Sequence, residues 1–157
     1  MAASVYRLPD EPLPSGLSRY AVDPLWPMLT LMLAGNGFGL AWFAFNSFAL
    51  GSPTRGRELA LLALNLAGAV ALLWLLGALG QAGWLPPRYM AYALLSVITL
   101  KLATGYALYM MQQRCFELWE YYGGAARNGL PLLILATLFA RRLFDLQWPA
   151  LLRMVLE

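Results

Sequence analysis

Residues 89–111, YMAYALLSVITLKLATGYALYMM, form an apolar run with a single charged residue, Lys101, close to its middle. About 20 consecutive apolar residues are long enough to cross the hydrocarbon core of a bilayer as an α-helix. A charge at the centre of such a helix costs roughly 2.5–3.5 kcal/mol on insertion scales, so it faces the interior of a helix bundle or a wet cavity. We therefore expect Lys101 to lie inside a membrane-embedded bundle.

The composition of the whole chain favours the same fold class. Of the 157 residues, 61% are apolar and 12% are charged, and this charged share is about half that of a soluble domain. Because apolar runs of bilayer length recur, the sequence predicts an all-α, polytopic integral membrane protein with four transmembrane helices. The net charge of +3 comes from basic residues scattered between these runs. No basic stripe results, and we expect no nucleic-acid partner.

The four spans are predicted to form two antiparallel helical hairpins. A flexible, proline-rich tail of residues 1–23 precedes a transmembrane domain of residues 24–152, and residues 153–157 form a C-terminal tail. The predicted spans cover residues 24–50, 58–80, 89–111 and 128–148. Between the third and fourth spans, Phe116, Trp119 and Tyr122 recur at every third position. This spacing predicts a short amphipathic helix lying on the membrane surface.

The lack of histidine and of a second cysteine excludes several kinds of active site. The chain has no histidine and one cysteine, Cys115. Histidine-ligated haem, histidine-based zinc sites, Ser-His-Asp and Cys-His catalysis and intramolecular disulfides are thereby excluded. The eight carboxylates lie mostly at the edges of apolar runs, so we expect no metal site and no other cofactor.

The first predicted span contains the segment AGNGFG at residues 34–39, with Asn36 near the middle of the span. Gly35 and Gly39 are four residues apart, which allows another helix to approach closely, and a buried asparagine can hydrogen-bond across such a contact. A second interpretation is a helix loosened by its glycines, with freed carbonyl groups that line a path for an ion or solute.

A polar cluster near the middle of the membrane is the main site hypothesis. Helical side chains lean toward the N-terminus of their own helix, which displaces the Lys101 amine toward residue 89. In the four-span topology, Asp145 lies on that side of the midplane and Glu58 lies on the other. We therefore predict a cluster of Lys101, Asn36 and Asp145, with Arg141 balancing the charge. The alternative is that Lys101 only fixes helix packing through hydrogen bonds, or docks a carboxylate of a partner subunit.

Arginines at the ends of the spans are expected to contact lipid headgroups. These residues are Arg55, Arg57, Arg114 and Arg142. Orientation follows from the distribution of basic residues. The side of both termini carries Arg7, Arg19, Arg88, Arg141, Arg142 and Arg153, and the other side carries Arg55, Arg57, Arg114 and Arg127. This distribution favours a bacterial-type inner membrane with both termini in the cytoplasm.

Three functions remain open from the sequence. The first is a non-catalytic accessory or assembly subunit of a larger membrane complex, whose partners are the bilayer and other membrane subunits or further copies of the chain. The second is an oligomeric transporter or channel lined by Asn36, Lys101 and Asp145.

The third function is a membrane enzyme that acts on lipid headgroups. Its reacting groups would be Arg114, Glu117 and Glu120, or Arg141, Arg142 and Asp145. Neither set contains a recognisable acid–base pair, so the sequence favours a protein that is not an enzyme.

Overall fold

A computed structural model describes residues 11–13, 15–144 and 154–156. The described residues form five α-helices and contain no β-strand, which confirms the prediction of an all-α fold. The helices are α1 Leu25–Leu33, α2 Asn36–Ala49, α3 Arg55–Gln81, α4 Pro87–Tyr121 and α5 Leu130–Phe144. A 3₁₀ turn, Ser18–Tyr20, precedes α1, and residues 154–156 are also helical.

Helices α3 and α4 are long and apolar enough to cross a membrane. They contain 27 and 35 residues, and their most apolar 18-residue windows have mean hydropathies of 2.4 and 1.4. Gly83, with a φ of 75°, lies in the turn between them, and Pro87 begins α4. The two helices are antiparallel, because residues equally distant from this turn meet. The pairs are Glu58 with Gln112, Asn65 with Thr104, and Leu73 with Val97.

The first predicted span, residues 24–50, is not one helix in the structure. Helix α1 ends at Leu33 and α2 begins at Asn36. Between them Gly35 has a φ of 99°, a conformation that favours glycine. A Cβ atom added at Gly39 would come closer than 3.0 Å to Leu31, so the two helices pack directly against each other. The chain therefore reverses at Gly35.

Hydrogen bonds at the other end of α1 and α2 show the same reversal. The Val22 amide, just before α1, donates to Oδ1 of Asn46 in α2 at 3.1 Å, and Nδ2 of Asn46 donates to the Val22 carbonyl at 3.1 Å. Helices α1 and α2 thus form an antiparallel hairpin of 9 and 14 residues. These lengths correspond to about 13 and 21 Å, and neither helix spans a hydrocarbon core of about 30 Å. The prediction that residues 24–50 form one helix of spanning length is therefore wrong.

The hairpin packs along roughly half of the α3–α4 pair. We call its open end, where residues 21–22 and 49–58 meet residues 112–116, the base end. Its closed end, or tip, is formed by Gly35 and Asn36, and Asn36 contacts Asn65 in the middle of α3. The turn between α3 and α4 lies beyond the tip.

The prediction of a separate short helix between the third and fourth spans is also wrong, because α4 continues without a break to Tyr121. Residues 112–121 contain neither proline nor glycine, and the first positive φ occurs at Gly123. Phe116 is buried against Ala49 and Leu50 at the base end, and Trp119 packs beside it. These aromatic residues therefore cover the base of the hairpin.

Helix α5 packs against the hairpin and runs from the base end toward the tip. Leu133 contacts Val22 and Trp42, whereas Ala136 and Ala140 pack against Ala34. The described helix has 15 residues, about 22 Å, and residues 145–148 of the fourth predicted span lie outside the described residues. Two helices of spanning length are therefore established, and four are not.

Replacing Gly39 with alanine is expected to destabilise the hairpin, because the added methyl group meets the backbone of Leu31. We expect a loss of about 1–3 kcal/mol in the free energy of unfolding, measured by thermal unfolding of the purified protein in detergent micelles. The matched control is Gly77→Ala in α3, where an added Cβ meets nothing within 4 Å. Equal stabilities of the two variants would contradict the close packing of α1 on α2.

Candidate functional site

Two groups of polar side chains are buried in the helical bundle. The tip cluster contains Asn36, Asn65, Lys101 and Thr104 together with the backbone of residues 154 and 155. The base cluster contains Asn46, Ser52, Thr54, Glu58 and Gln112. Each cluster joins the hairpin to both α3 and α4.

The tip cluster is centred on two asparagines. Asn36 begins α2, directly after the reversal at Gly35, and its Nδ2 donates to Oδ1 of Asn65 at 2.7 Å and to the Val155 carbonyl at 3.1 Å. Asn65 Nδ2 in turn donates to Oγ1 of Thr104 at 2.5 Å. Asn36 and Asn65 are 1% and 0% exposed. The tip is thus tied to α3, to α4 and to the C-terminal segment.

Lys101 lies at the edge of the tip cluster. Its Nζ donates to the Met154 carbonyl at 2.6 Å, so Lys101 and Asn36 bind consecutive carbonyl groups of the same segment. Both residues also line a cleft of about 360 Å³, which we call the tip cleft. The other walls of the tip cleft are apolar, and Leu31, Leu73 and Met154 are among them.

The structure thus brings together two residues of the predicted polar cluster, Lys101 and Asn36. Asp145 lies outside the described residues. Arg141 belongs to α5, but its side chain is not among those described. Asn65, which was absent from the predicted cluster, provides the direct link between the hairpin and α4.

The base cluster surrounds the carboxyl group of Glu58, which is 0% exposed. Its Oε1 accepts hydrogen bonds from the hydroxyl groups of Ser52 and Thr54, the second at 2.8 Å. Its Oε2 accepts a bond of 2.9 Å from Nε2 of Gln112. Gln112 Nε2 also donates to the Phe43 carbonyl at 2.8 Å. A buried acidic side chain is therefore held by neutral donors from the α2–α3 loop and α4.

The base cluster continues from Gln112 to the start of the hairpin. Gln112 Oε1 accepts a 3.1 Å bond from Nδ2 of Asn46, which also bonds Val22. The predicted cluster omitted Glu58 because the four-span topology put it on the wrong side of the midplane. The contact between Glu58 and Gln112 could have been predicted from the antiparallel register of α3 and α4, which places residue 58 opposite residue 112.

The arginines predicted to contact lipid headgroups occupy different surroundings. Arg57 and Arg114 line one pocket of about 220 Å³ with Thr54, Met110 and Met111, and we call it the arginine pocket. The guanidinium of Arg55 lies 4.8 Å from the centroid of the Phe48 ring. Arg142 is exposed on α5. Of these four arginines, the structure thus brings Arg57 and Arg114 together at one pocket.

The predicted sides of the membrane do not agree with the structure. Nε of Arg127 donates to the carbonyl of Arg19 at 3.2 Å, although the four-span topology assigned these residues to opposite sides. Because α1 and α2 form a hairpin, residues just before α1 lie at the same end as the α2–α3 loop. The distribution of basic residues used to predict orientation is therefore incorrect.

Replacing Gln112 with leucine is expected to destabilise the fold strongly. The change removes the donor to Oε2 of Glu58 and the acceptor for Asn46, both of which are fully buried. An unpaired buried group costs about 1–3 kcal/mol, and more if it is charged. We expect a loss of about 3 kcal/mol in the free energy of unfolding, measured by thermal unfolding in detergent.

The control for this prediction is Gln113→Leu, because Gln113 is only half-buried and donates to Glu117 within the same helix. That change should alter the free energy of unfolding by less than about 0.5 kcal/mol. If both variants unfold at the same temperature, the base cluster does not stabilise the bundle.

Comparison of the chain with protein-family models, curated proteins and solved structures finds no match. No function is therefore transferred to it from a relative.

Proposed function

We propose that the protein is embedded in a membrane, with α3 and α4 crossing the bilayer. Only 22% of the residues in the apolar window of each helix are buried within the protein. Val70 and Trp74 on α3 are 52% and 70% exposed, and Tyr92 on α4 is 71% exposed. The core helix of a soluble protein would be mostly buried, and large exposed apolar surfaces mark interaction with a membrane or a partner.

We propose that the α1–α2 hairpin enters this bilayer from one side and returns to the same side. A break in a helix at membrane depth is tolerated where protein covers it or where it lines a cavity. Ala34 at the break is 2% exposed and is covered by Ala136 and Ala140 of α5. Its amide donates to the Thr30 carbonyl at 2.8 Å. These contacts support a hairpin whose tip lies within the bilayer.

The arginines support an orientation for this arrangement. Five arginines of the described residues lie at or near the base end: Arg19, Arg55, Arg57, Arg114 and Arg127. At the other end, Arg88 follows the turn between α3 and α4, and Arg142 lies near the tip end of α5. Cytoplasmic segments carry the excess of arginine and lysine, so we propose that the base end faces the cytoplasm. The bacterial-type inner membrane and the cytoplasmic location of both termini stay predictions.

Cysteine labelling should distinguish this hairpin from a single span. In a Cys115→Ser background, we expect Gly16→Cys and Gly56→Cys to react with a membrane-impermeant maleimide from the same face of sealed vesicles. Ala82→Cys, in the turn after α3, should react only from the opposite face. All three sites are exposed. Labelling of positions 16 and 56 from opposite faces would restore the single-span topology for residues 24–50.

Within this topology, we propose that the protein is a non-catalytic subunit of a larger membrane complex. The observation that carries the proposal is the saturation of the base cluster, where Glu58, Gln112 and Asn46 hydrogen-bond to one another and to neighbouring backbone. Side chains engaged in this way stabilise a rigid fold and are poorly suited to reaction with a substrate. The outward-facing apolar surfaces of α3, α4 and α5 are suited to packing against other helices.

A transporter or channel is the second candidate function, and the tip cleft favours it. Asn36 and Lys101 line this cleft at the level where the hairpin reverses. In the described part of the chain, Oδ1 of Asn36 is buried without a hydrogen-bond partner. Transporters place substrate sites beside broken helices in this way. The cleft would then be one segment of a path completed by further copies of the chain.

Mild detergent extraction followed by native mass spectrometry should separate the two functions. A subunit is expected to appear in an assembly of fixed stoichiometry with other membrane proteins, and its proteoliposomes should show no ion flux above that of empty liposomes. A lone monomer or an assembly of this chain alone would contradict the subunit proposal. Flux that is lost in Lys101→Met and retained in Arg88→Gln would establish the transporter instead.

A further inference from the structure

The arginine pocket lies at the base end, where the beginning of α3 meets α4. Arg57 comes from α3 and Arg114 from α4, and the pocket between them has a volume of about 220 Å³. Their neighbours Glu58 and Gln112 are joined by the buried hydrogen bond of 2.9 Å. The register of the two helices therefore fixes the two arginines on the same pocket.

The charges on the pocket are suited to an anion. Within residues 11–13, 15–144 and 154–156, neither Arg57 nor Arg114 forms an ion pair with a carboxylate. The Thr54 hydroxyl donates to Glu58, so recognition depends on the two guanidinium groups. Two positive charges at one pocket repel each other, and an anion between them removes this cost. The planar guanidinium group matches a phosphate with two parallel hydrogen bonds.

The apolar part of the pocket favours an amphiphile over a free anion. Met110 and Met111 line the pocket one turn before Arg114 in α4, toward the apolar middle of the helix. Methionine side chains adapt to irregular apolar partners. From the end of the bundle inward, the pocket thus presents arginine first and methionine second. The same order, phosphate and then hydrocarbon, occurs in a phospholipid.

We propose that the arginine pocket binds the phosphate group of an anionic phospholipid. Arg57 and Arg114 contact the phosphate oxygens, and Met110 and Met111 contact the first methylene groups of an acyl chain. This inference depends on the proposed membrane location, which the cysteine labelling tests separately. A protein that is labelled as expected but binds no lipid here would lose only the present inference.

The test is native mass spectrometry of the delipidated protein in detergent, titrated with dioleoyl phosphatidylglycerol. We expect one saturable lipid and an affinity about fivefold lower in Arg57→Gln and in Arg114→Gln. The lipid affinity of the double variant should be more than tenfold lower than that of the unchanged protein. Arg88→Gln removes one charge at the other end of α4, where Arg88 stacks on Tyr89 at 4.7 Å, and should change the affinity less than twofold.

Two results would overturn the proposal. One is an equal effect of Arg57→Gln, Arg114→Gln and Arg88→Gln, which would indicate general attraction to the charge of the protein. The other is binding of inorganic phosphate alone with the affinity of the lipid, which would make the pocket a site for free phosphate. Because Arg57 and Arg114 are exposed, the variants should keep the circular dichroism and unfolding temperature of the original protein. If the double variant misfolds, the lipid affinities of the two single variants, compared with that of Arg88→Gln, test the proposal.

Discussion

Most of the polar groups that the α1–α2 hairpin buries have a hydrogen-bond partner inside the protein, because an unpaired polar group in an apolar interior costs about 1–3 kcal/mol. This constraint accounts for the positions of the two clusters. At the tip, where the helix is interrupted at Gly35, Asn36 donates to Asn65 and to the Val155 carbonyl. At the base, Asn46 exchanges two hydrogen bonds with the backbone of Val22. The hairpin is thus fastened at both of its ends.

The two clusters also explain why the hairpin and the α3–α4 pair form one unit. Hydrogen bonds between neutral groups contribute only about 0.5–1.5 kcal/mol each, but leaving one buried partner unpaired costs more than this. Glu58 is the extreme case, because a buried carboxyl group that loses its donors is especially unfavourable. Its donors come from the α2–α3 loop and from α4. Separating the hairpin from α4 would therefore leave several buried polar groups without partners at once.

The long helices α3 and α4 could be predicted from the sequence, but the reversal of the chain at Gly35 could not. Apolar runs and proline positions identify α3 and α4, since hydrogen bonds within each helix satisfy its backbone. The AGNGFG segment is compatible with a straight helix that packs closely and with a break, and both interpretations were open. The choice depends on distant contacts, such as Leu31 with Gly39 and Val22 with Asn46. Local composition contains no information about those partners.

The reversal at Gly35 changes the predicted side of some residues and leaves the α3–α4 register unchanged. Lys101 and Asn36, which line the tip cleft, were both singled out because each lies near the middle of an apolar run, which is a property of each run by itself. Glu58 was left out of the predicted cluster because it lies at the end of α3 farthest from the turn before Pro87, and this position depends only on the α3–α4 pair. Converting one span into a hairpin moves Arg19 to the end of the bundle that carries Arg127. The predicted side of a residue therefore depends on every reversal that precedes it in the chain. The position of a residue within an apolar run is set locally, so the sequence could single out Lys101 and Asn36. The base cluster was missed because Gln112 was placed after the third predicted span, whereas α4 continues to Tyr121.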